Sequence, residues 1–419
     1  MKRSGFIFPF VLVFTAFSLV VCNSCKKDDD GDDPDTPLPE NYYIMSKKYM
    51  DTELPCFINI MFQVTNGQGK GISNLGTGDF EVFEDNQAVS PTESALSIMK
   101  KDAAPYQLRT VLMIDNSLSV GANLEDIKEA AKSFVENIES KQKIAVYVFS
   151  ENTQMVKDFT GDKNALHEAI DSIQLGYAST DLYGAVITGV QKWSDIYFDN
   201  YIEQGYMVLF TDGSDTQGSH TLSEALSARG DKQVFALGLG AEIDPSALQK
   251  IGNAGYYKIE NIEDLSEKFI NVQSDIRDLA NSFYYLYYMS PKRGDKDHSL
   301  KLIIKGNANS SSTGHITGQF NSRDFYSMTQ TLMINHGQTE VALTENDTYT
   351  LTAVTYLPTN PPEYYWSSSD LSVVVISSIP SDTSNAVIRG VGSTGQTATI
   401  TCTDQANSLT SSIDVVLGE

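Results

Sequence analysis

The sequence predicts an α/β unit with a doubly wound parallel sheet, inserted in a β-sandwich and followed by a second, all-β sandwich. Apolar strands alternate with amphipathic helices through the middle of the chain, which is the pattern of a parallel sheet covered by helices on both faces. Strand-like segments flank this region on both sides. The carboxyl-terminal part is rich in Ser and Thr and has short alternating strands at regular spacing, as in a sandwich.

Within the α/β unit, residues 111–114 form a continuous apolar run, as expected of a central strand buried on both faces. The helix predicted at 124–140 has one apolar face that runs from Ile127 to Ile138. Further strands are predicted at 143–149, 207–210 and 233–237, and further helices at 164–173, after Thr180, at 222–228 and at 262–279.

The first sandwich is predicted to be split between residues 41–105 and 283–327, with the α/β unit at 106–282 inserted between its halves. Such insertion is easy when the termini of the inserted unit lie close together. Tyrosines 284, 285, 287 and 288 occupy both faces of one predicted strand. We predict that they pack inside the protein, in preference to forming a sugar-stacking platform. The strands of this part are predicted at 57–64, 79–86, 282–291, 299–305 and 315–320.

The second sandwich is predicted to span residues 328–419 and to act as a spacer or an adhesive module. Trp366 is predicted to be a core residue and not a ligand contact. Its strands are predicted at 339–343, 348–354, 365–370, 386–391 and 396–402.

Three loops place oxygen-bearing side chains after or between the predicted strands. Asp115, Ser117 and Ser119 follow the strand at 111–114, Thr180 opens a helix, and Asp212 follows the strand at 207–210. In open α/β sheets, ligands bind beyond the carboxyl ends of the strands, and Mg²⁺ prefers oxygen ligands. Taken alone, the Asp-x-Ser-x-Ser loop also fits a simpler role, in which Asp and Ser cap the next helix.

Together, Asp-x-Ser-x-Ser at 115–119, the Thr180 loop and Thr-Asp-Gly at 211–213 resemble the metal-ion-dependent adhesion site of von Willebrand factor A domains. The resemblance runs from about residue 109 to about residue 279. It implies a divalent cation, Mg²⁺ or alternatively Mn²⁺ or Ca²⁺, held by hydroxyls and by carboxylates that bind directly or through water. The implied ligands are Asp115, Ser117, Ser119, Thr180 and Asp212.

The resemblance also implies a function, because adhesive A domains capture proteins through a partner's Glu or Asp that completes the metal coordination. We therefore predict a cell-surface lipoprotein that binds an acidic group of a protein partner, with the final helix at 262–279 shifting on binding. The alternative is a structural scaffold of an envelope complex, in which the metal locks the loops and exchanges no ligand. A site open to solvent would favour the first.

An enzyme is not predicted. The five His residues, at 167, 220, 298, 315 and 336, are scattered without metal-ligand spacing, and no nucleophile–base motif is present.

Two further resemblances concern the flanking parts. Gly-x-x-Asp-Phe-x-Val-x-Glu-Asp at 76–85 resembles the β segment that often precedes secreted bacterial A domains. The segment from Trp366 to Asp370, with Gly395-Gln396 further on, resembles bacterial immunoglobulin-like domains of group 2. This sequence lacks the short Gly turn usual in that family, so 377–385 is predicted to be a longer loop.

The amino terminus reads as a targeting segment. Lys2 and Arg3 precede an apolar run at 6–21, so residues 1–24 are predicted to be a signal peptide. Cys25 resembles the lipidated cysteine of bacterial lipoproteins and is favoured over Cys22, because Ser24 before it is small. An uncleaved anchor is the alternative, although the run is near the short limit for spanning a bilayer. The acidic tract directly after Cys25, within the tether at 25–40, resembles export signals to the outer face of the outer membrane. The Asp-rich residues 28–35 are interpreted as tether and not as a calcium site, because they lack the Gly and the terminal Glu at the spacing of a twelve-residue calcium loop.

Composition narrows the partners. The formal net charge of −24 argues against nucleic acid and against adsorption to anionic lipid, since both require basic patches. The membrane is therefore expected to be reached only through the lipid anchor. Cys56 and Cys402 lie in different predicted domains, and two separately buried thiols are favoured over a bridge between them.

Overall fold

The computed structural model describes residues 38–100, 106–139, 141–198, 201–379 and 382–418. The predicted signal peptide, Cys25 and the tether up to residue 37 lie outside these ranges. In the described part of the chain, no helix is both long enough and apolar enough to cross a membrane.

In residues 38–100, five strands precede the α/β unit. The longest two form an antiparallel pair in which Tyr43 lies opposite Asn66. Every side chain from Phe57 to Val64 is buried, because one face of this strand packs in the sandwich core and the other packs toward the α/β unit. The strands are β1 (Tyr43–Glu53), β2 (Phe57–Asn66), β3 (Phe80–Glu84), β4 (Gln87–Ala88) and β5 (Ser97–Lys100).

The α/β unit contains a seven-stranded sheet. Its strands are β6 (Tyr106–Asp115), β7 (Gln142–Phe149), β8 (Thr153–Thr160), β9 (Ile196–Phe198), β10 (Tyr201–Thr211), β11 (Gln233–Leu239) and β12 (Gly255–Ile259). They are ordered β12-β11-β10-β6-β7-β8, with β9 paired to β10. Beside the predicted parallel strands, the sheet contains two strands that were not predicted, β8 and β9, and both are antiparallel to their neighbours. Only three residues separate β7 from β8, too few for the crossover that a parallel pair requires.

Six α-helices cover this sheet in the described part of the unit. Helix α1 buries the predicted apolar face that includes Ile127, Ala131 and Phe134. It ends before the predicted residue 140, because Asn137 donates its amide to the Ser133 carbonyl at 2.8 Å and thereby closes the last turn. The helices are α1 (Leu124–Glu136), α2 (Lys163–Asp171), α3 (Leu182–Val190), α4 (Leu222–Arg229), α5 (Pro245–Ile251) and α6 (Leu265–Ala280).

Strands that follow the α/β unit pair with strands that precede it. They are β13 (Phe283–Met289), β14 (Asp297–Ile304) and β15 (His315–Asn321). Strand β13 lies between β2 and β5, so that Leu286 pairs with both Ile60 and Ile98. Strand β14 pairs with β3. The two resulting sheets are ordered β1-β2-β13-β5 and β15-β14-β3-β4, and one apolar core draws residues from both.

All four tyrosines of β13 are buried, in agreement with packing and not with a sugar-stacking platform. Tyr284 and Tyr288 belong to the core between the two sheets. Tyr285 and Tyr287 lie on the other face, in a cluster with Ile202 of the α/β unit.

The carboxyl-terminal part is all-β, with sheets ordered β16-β18-β21-β20 and β17-β23-β22-β19. The predicted long loop at 377–385 was wrong, because β20 and β21 form an antiparallel hairpin through this region. Trp366 is half-buried against this core and donates its indole N–H to the Thr383 carbonyl at 3.0 Å. The strands are β16 (Thr331–Ile334), β17 (Glu340–Leu343), β18 (Thr348–Tyr356), β19 (Tyr364–Ser368), β20 (Val374–Ile379), β21 (Asp382–Gly390), β22 (Thr397–Asp404) and β23 (Leu409–Leu417).

Cys56 and Cys402 are both free and buried. Cys56 lies in the core between the first two sheets and Cys402 in the carboxyl-terminal core, as the favoured prediction stated.

Candidate metal site

Two of the three predicted loops leave neighbouring parallel strands at the same edge of the sheet. Ile114 of β6 lies opposite Phe210 of β10, so Asp115 and Asp212 emerge side by side. The register places the carboxyl ends of both strands at one edge, where an open α/β sheet binds its ligands.

Four of the five predicted ligands form one continuous hydrogen-bonded cluster. The Ser117 N–H donates to Asp115 Oδ1 at 2.9 Å, and the Ser117 and Ser119 hydroxyls lie 2.9 Å apart. Ser119 donates to Asp212 Oδ1 at 2.7 Å. Thr211 completes the cluster by donating its hydroxyl to Asp115 Oδ2 at 2.7 Å. Thr211 was not among the predicted site residues, although it lies in the Thr-Asp-Gly motif that identified Asp212.

The fifth residue, Thr180, is held beside this cluster by backbone contacts with the third loop. Its N–H donates to Thr216 Oγ1 at 2.8 Å, and its carbonyl accepts from the Thr216 N–H at 2.9 Å. A methyl group on Gly213 would lie 4.0 Å from Thr180 Oγ1. Helix α3 is capped by Asp181 and not by Thr180, so the Thr180 hydroxyl is not used as a cap.

The helix-capping alternative for Asp-x-Ser-x-Ser does not fit the structure. Ser117 precedes a 3₁₀ helix, Leu118–Asn123, and makes no side-chain cap bond to it. Asn123 precedes α1 and likewise makes no side-chain cap bond. The loop's side chains are directed instead toward one another and toward Asp212.

Burial shapes the electrostatics of the cluster. Asp115 and Ser117 have no exposed surface, whereas Asp212 is half-buried and Ser119 is exposed. Burial raises the pKa of Asp115 to about 6, against the opposing effect of hydrogen bonds from Ser117 and Thr211. Burial also raises the pKa of Asp212. Both carboxylates are therefore short of compensating positive charge.

The donor set fits a hard divalent cation. It comprises two carboxylates and three hydroxyls, which are the oxygen ligands that Mg²⁺ and Ca²⁺ accept, and a cation would supply the missing positive charge. Among the described residues, no group of three or more His, Cys, Asp or Glu side chains is placed to hold a metal. A metal at this edge would consequently depend on hydroxyl ligands as well as on the two carboxylates.

The site edge is open to solvent and carries apolar side chains. Leu118 is 54% exposed, Leu175 is 42% exposed and Tyr177 is 58% exposed. The Leu118 N–H donates to the Tyr177 carbonyl at 3.0 Å, which joins the first loop to the segment before Thr180. We call these three residues the apolar collar.

A row of Asp, His and Ser side chains lies elsewhere, in the sheet that contains β3 and β14. His298 Nδ1 lies 2.8 Å from Asp85 Oδ2, and its Nε2 lies 3.1 Å from the Ser322 hydroxyl. Sequence reasoning missed this row because the three residues are far apart in the chain. Ser322 has no exposed surface, and its hydroxyl donates to the Gly294 carbonyl at 2.5 Å. The row therefore ties strands and turns together and does not present a nucleophile.

Comparison with known proteins identifies the α/β unit. Residues 110–273 match the family model of the von Willebrand factor type A domain, so this part of the chain is such a domain, as the resemblance implied. The match lies within the predicted bounds 106–282.

Several solved structures are similar, all with TM-scores below 0.5. A von Willebrand factor type A protein from Catenulispora acidiphila is 12% identical, with a TM-score of 0.38, over 68% of this chain and 72% of that chain. Proximal thread matrix protein 1 from the mussel byssus, with a zinc-occupied MIDAS motif, is 18% identical, with a TM-score of 0.36, over 47% of this chain and 50% of that chain. The von Willebrand factor domain of a type V pilus tip protein from Porphyromonas gingivalis is 11% identical, with a TM-score of 0.34, over 42% of this chain and 96% of that chain.

Proposed function

We propose that this chain, whose residues 110–273 form a von Willebrand factor type A domain, binds a protein partner through a divalent cation. The cation, Mg²⁺ or alternatively Mn²⁺ or Ca²⁺, would be held by Asp115, Ser117, Ser119, Thr180 and Asp212. The observation that carries the proposal is the solvent-open oxygen cluster of these loops at the carboxyl edge of the sheet.

The chemistry of the cluster explains why the partner would be acidic. Two carboxylates formally balance the charge of a divalent cation, but together with the three hydroxyls they supply only five of the six oxygens of an octahedral shell, so one position stays open for a further oxygen ligand. A Glu or Asp of the partner supplies that oxygen. Binding of this kind needs no covalent chemistry, and we propose no enzymatic activity.

Solvent access favours capture of a partner over a purely structural role. In a scaffold with a locked metal, the cation would be enclosed by the protein's own groups. Here Ser119 is exposed and Asp212 is half-buried, and the apolar collar beside them offers surface that a partner would bury. The collar matters because the net charge of −24 opposes the approach of an acidic protein, and apolar burial offsets that repulsion.

We further propose that Cys25 is lipidated after removal of residues 1–24, and that the acidic tether carries the protein on the exterior of the outer membrane. In this arrangement, β1–β5 and β13–β15 form one split sandwich at the base of the α/β unit. Residues 328–419 form an immunoglobulin-like domain attached to that base. Neither nucleic acid nor direct adsorption to the bilayer is part of the proposal.

The test is calorimetric titration of Mg²⁺, Mn²⁺ and Ca²⁺ into the full-length chain. We expect saturable binding of at least one ion in the wild type and its loss in Asp212→Ala. Glu242→Gln is the matched control, because it removes a negative charge that acts on Asp212 without removing a proposed ligand. Equal binding by wild type and Asp212→Ala, or no binding by the wild type, would contradict the metal site. Capture of an acidic partner would then be tested with Asp115→Ala in Mg²⁺ buffer.

A further inference from the structure

We propose that a second ligand site, unrelated to the metal site, lies where the carboxyl-terminal sheets meet the first two sheets. It is an open cavity of about 220 Å³, and its walls fit a small apolar molecule that carries one carboxylate. Cys56, directly before β2, and Leu357, directly after β18, both line it.

The body of the cavity is apolar. Val89, Met289, Met328 and Leu357 line it together with the Cys56 thiol. Engineered apolar cavities of about 150 Å³ already bind benzene, so this volume accommodates an aromatic ring or a short alkyl chain with a polar end. Met side chains adapt to irregular ligands.

One wall carries a hydroxyl that the protein leaves unused. Ser94 is 4% exposed, and its Oγ has no hydrogen-bond partner in the described part of the protein. A buried hydroxyl without a partner costs free energy, and native proteins rarely keep one without a reason. Because the Ser94 Oγ is itself inaccessible to solvent, the side chain would have to rotate toward the cavity to donate to a ligand oxygen and so remove this cost.

Arg293 adds a positive charge at the cavity wall. Its Nη1 donates to the carbonyls of Ser290 at 2.8 Å and Lys292 at 2.6 Å, which holds the guanidinium in place. Its charge and a hydrogen bond act on the Cys56 thiol, where they oppose the burial that raises the pKa of that thiol. A planar guanidinium with further N–H donors is suited to a carboxylate. Glu93 also lines the cavity, is exposed and acts against an anionic ligand.

The backbone around the cavity is strained at two non-glycine residues. Ala95, next to Ser94, has a φ of 47°, and Leu357 has a φ of 53°. Residues other than Gly rarely adopt this left-handed backbone conformation, and residues held in it are concentrated at ligand sites. Leu357 is also 45% exposed, which places a large apolar side chain at the mouth.

The test is calorimetric titration of phenylacetate and hexanoate into the full-length chain in EDTA, with phenylacetamide and hexan-1-ol as neutral counterparts. For ligands of this size, we expect a Kd of about 0.1–1 mM for the acids and at least about tenfold weaker binding of the neutral compounds. EDTA removes divalent cations, so binding of the acids in EDTA cannot come from the proposed metal site. Failure of either proposal can therefore be distinguished from failure of the other.

Charge variants at the wall give opposite expected changes. Arg293→Gln should weaken binding of the acids about tenfold, whereas Glu93→Gln should strengthen it about two- to threefold. Arg323→Gln is the matched control, since Arg323 is an exposed arginine paired with Asp295 and does not line the cavity. All three positions are at the surface, so these variants are expected to fold.

A second readout places the ligand. Bound phenylacetate should slow alkylation of Cys56 by N-ethylmaleimide, as mapped by peptide mass spectrometry, and should leave alkylation of Cys402 unchanged. The proposal is overturned if neither acid binds or if acids and neutral compounds bind equally. It is also overturned if Arg293→Gln and Arg323→Gln behave alike, or if Cys56 is not protected.

Discussion

His336 joins the carboxyl-terminal sheets to the first sandwich and should make that junction sensitive to acid. Its ring stacks on Tyr287 of β13, with centroids 3.7 Å apart and planes inclined by 8°. Nδ1 lies 2.6 Å from the Tyr356 hydroxyl, and Nε2 lies 3.2 Å from the Ser97 hydroxyl. The residue therefore contacts β5, β13 and β18. Its φ of 56° lies between positive values at Asn335 and Gly337.

Burial lowers the pKa of His336 to about 3, against an ordinary value of about 6.5 in an unfolded chain. Between these values the unfolded state binds the proton and the folded state does not, so folding is opposed as the pH falls. The contribution of neutral His336 is fully present above pH 6.5 and is lost progressively toward pH 3. Where the unfolded state binds one proton more than the folded state, the free energy of unfolding changes by about 1.4 kcal/mol per pH unit. Because His336 is only partly buried as a residue, we expect the free energy of unfolding to fall by about 1 kcal/mol between pH 6.5 and pH 5.5.

The perturbation that isolates this effect is His336→Phe, which keeps a ring for Tyr287 but cannot titrate. The substitution should lower the free energy of unfolding by about 1–3 kcal/mol, because the Tyr356 and Ser97 hydroxyls lose a partner. This loss should not change with pH, because Phe does not titrate. Urea unfolding at pH 7.5, 6.5 and 5.5, followed by Trp366 fluorescence in a Trp193→Phe background, measures the pH slope near the junction. Between pH 6.5 and pH 5.5, the free energy of unfolding of the wild type should fall by about 1 kcal/mol more than that of His336→Phe.

Other groups also titrate in this range, so the comparison between variants matters more than either slope alone. His315→Phe, on strand β15 of the other sheet, is the control for loss of a histidine elsewhere. Equal pH slopes in wild type and His336→Phe would refute the reasoning, since they would mean that His336 takes up its proton without leaving the junction.

Further outcomes follow from other contacts. Mg²⁺ at about one hundred times its Kd should stabilise the wild type by about 2.7 kcal/mol and leave the Tm of Asp212→Ala unchanged, as measured by calorimetric melting. Gly71→Ala should lower the free energy of unfolding by about 2 kcal/mol or more, because its methyl would lie 2.1 Å from the Asp278 carbonyl oxygen. Gly78→Ala is the control, since a methyl there meets nothing within 4 Å. Similar urea midpoints for the two variants would contradict this prediction. Tyr288→Phe should cost about 2 kcal/mol by removing the 2.8 Å bond to buried Glu84, and Tyr326→Phe, at an exposed ring, should be neutral in the same assay.

Much of the α/β unit was predictable because its strands and helices have strong periodicity. The run at 111–114 and the apolar face of α1 are both buried as expected. Strand β8 was missed since its burial does not alternate cleanly, which is common at a sheet edge. Helix α5 is only 7 residues long, too short for its period to stand out, although Asp244 and Pro245 form a helix-start signal.

The candidate ligands were named from short motifs, but the contacts that join them depend on strand register and could not be predicted. The bond from Thr211 to Asp115 exists because β6 and β10 are neighbours. The same limit applies to Asp85, His298 and Ser322, and to His336. In each case the partners come from distant segments, and only the folded chain brings them together.

The pairing of β5 with β13 has a mechanical consequence. The chain enters the α/β unit after Lys100 and returns to β13, where Tyr284 lies opposite Lys100. A pull on a partner bound as we propose would therefore draw both strands in the same direction and place little load between them. The load falls instead along β13 against β2, where seven residue pairs from Phe283 to Met289 are sheared together. When two paired strands are pulled along their length, the force is shared among all the hydrogen bonds between them. When they are pulled apart from one end, these hydrogen bonds break one at a time.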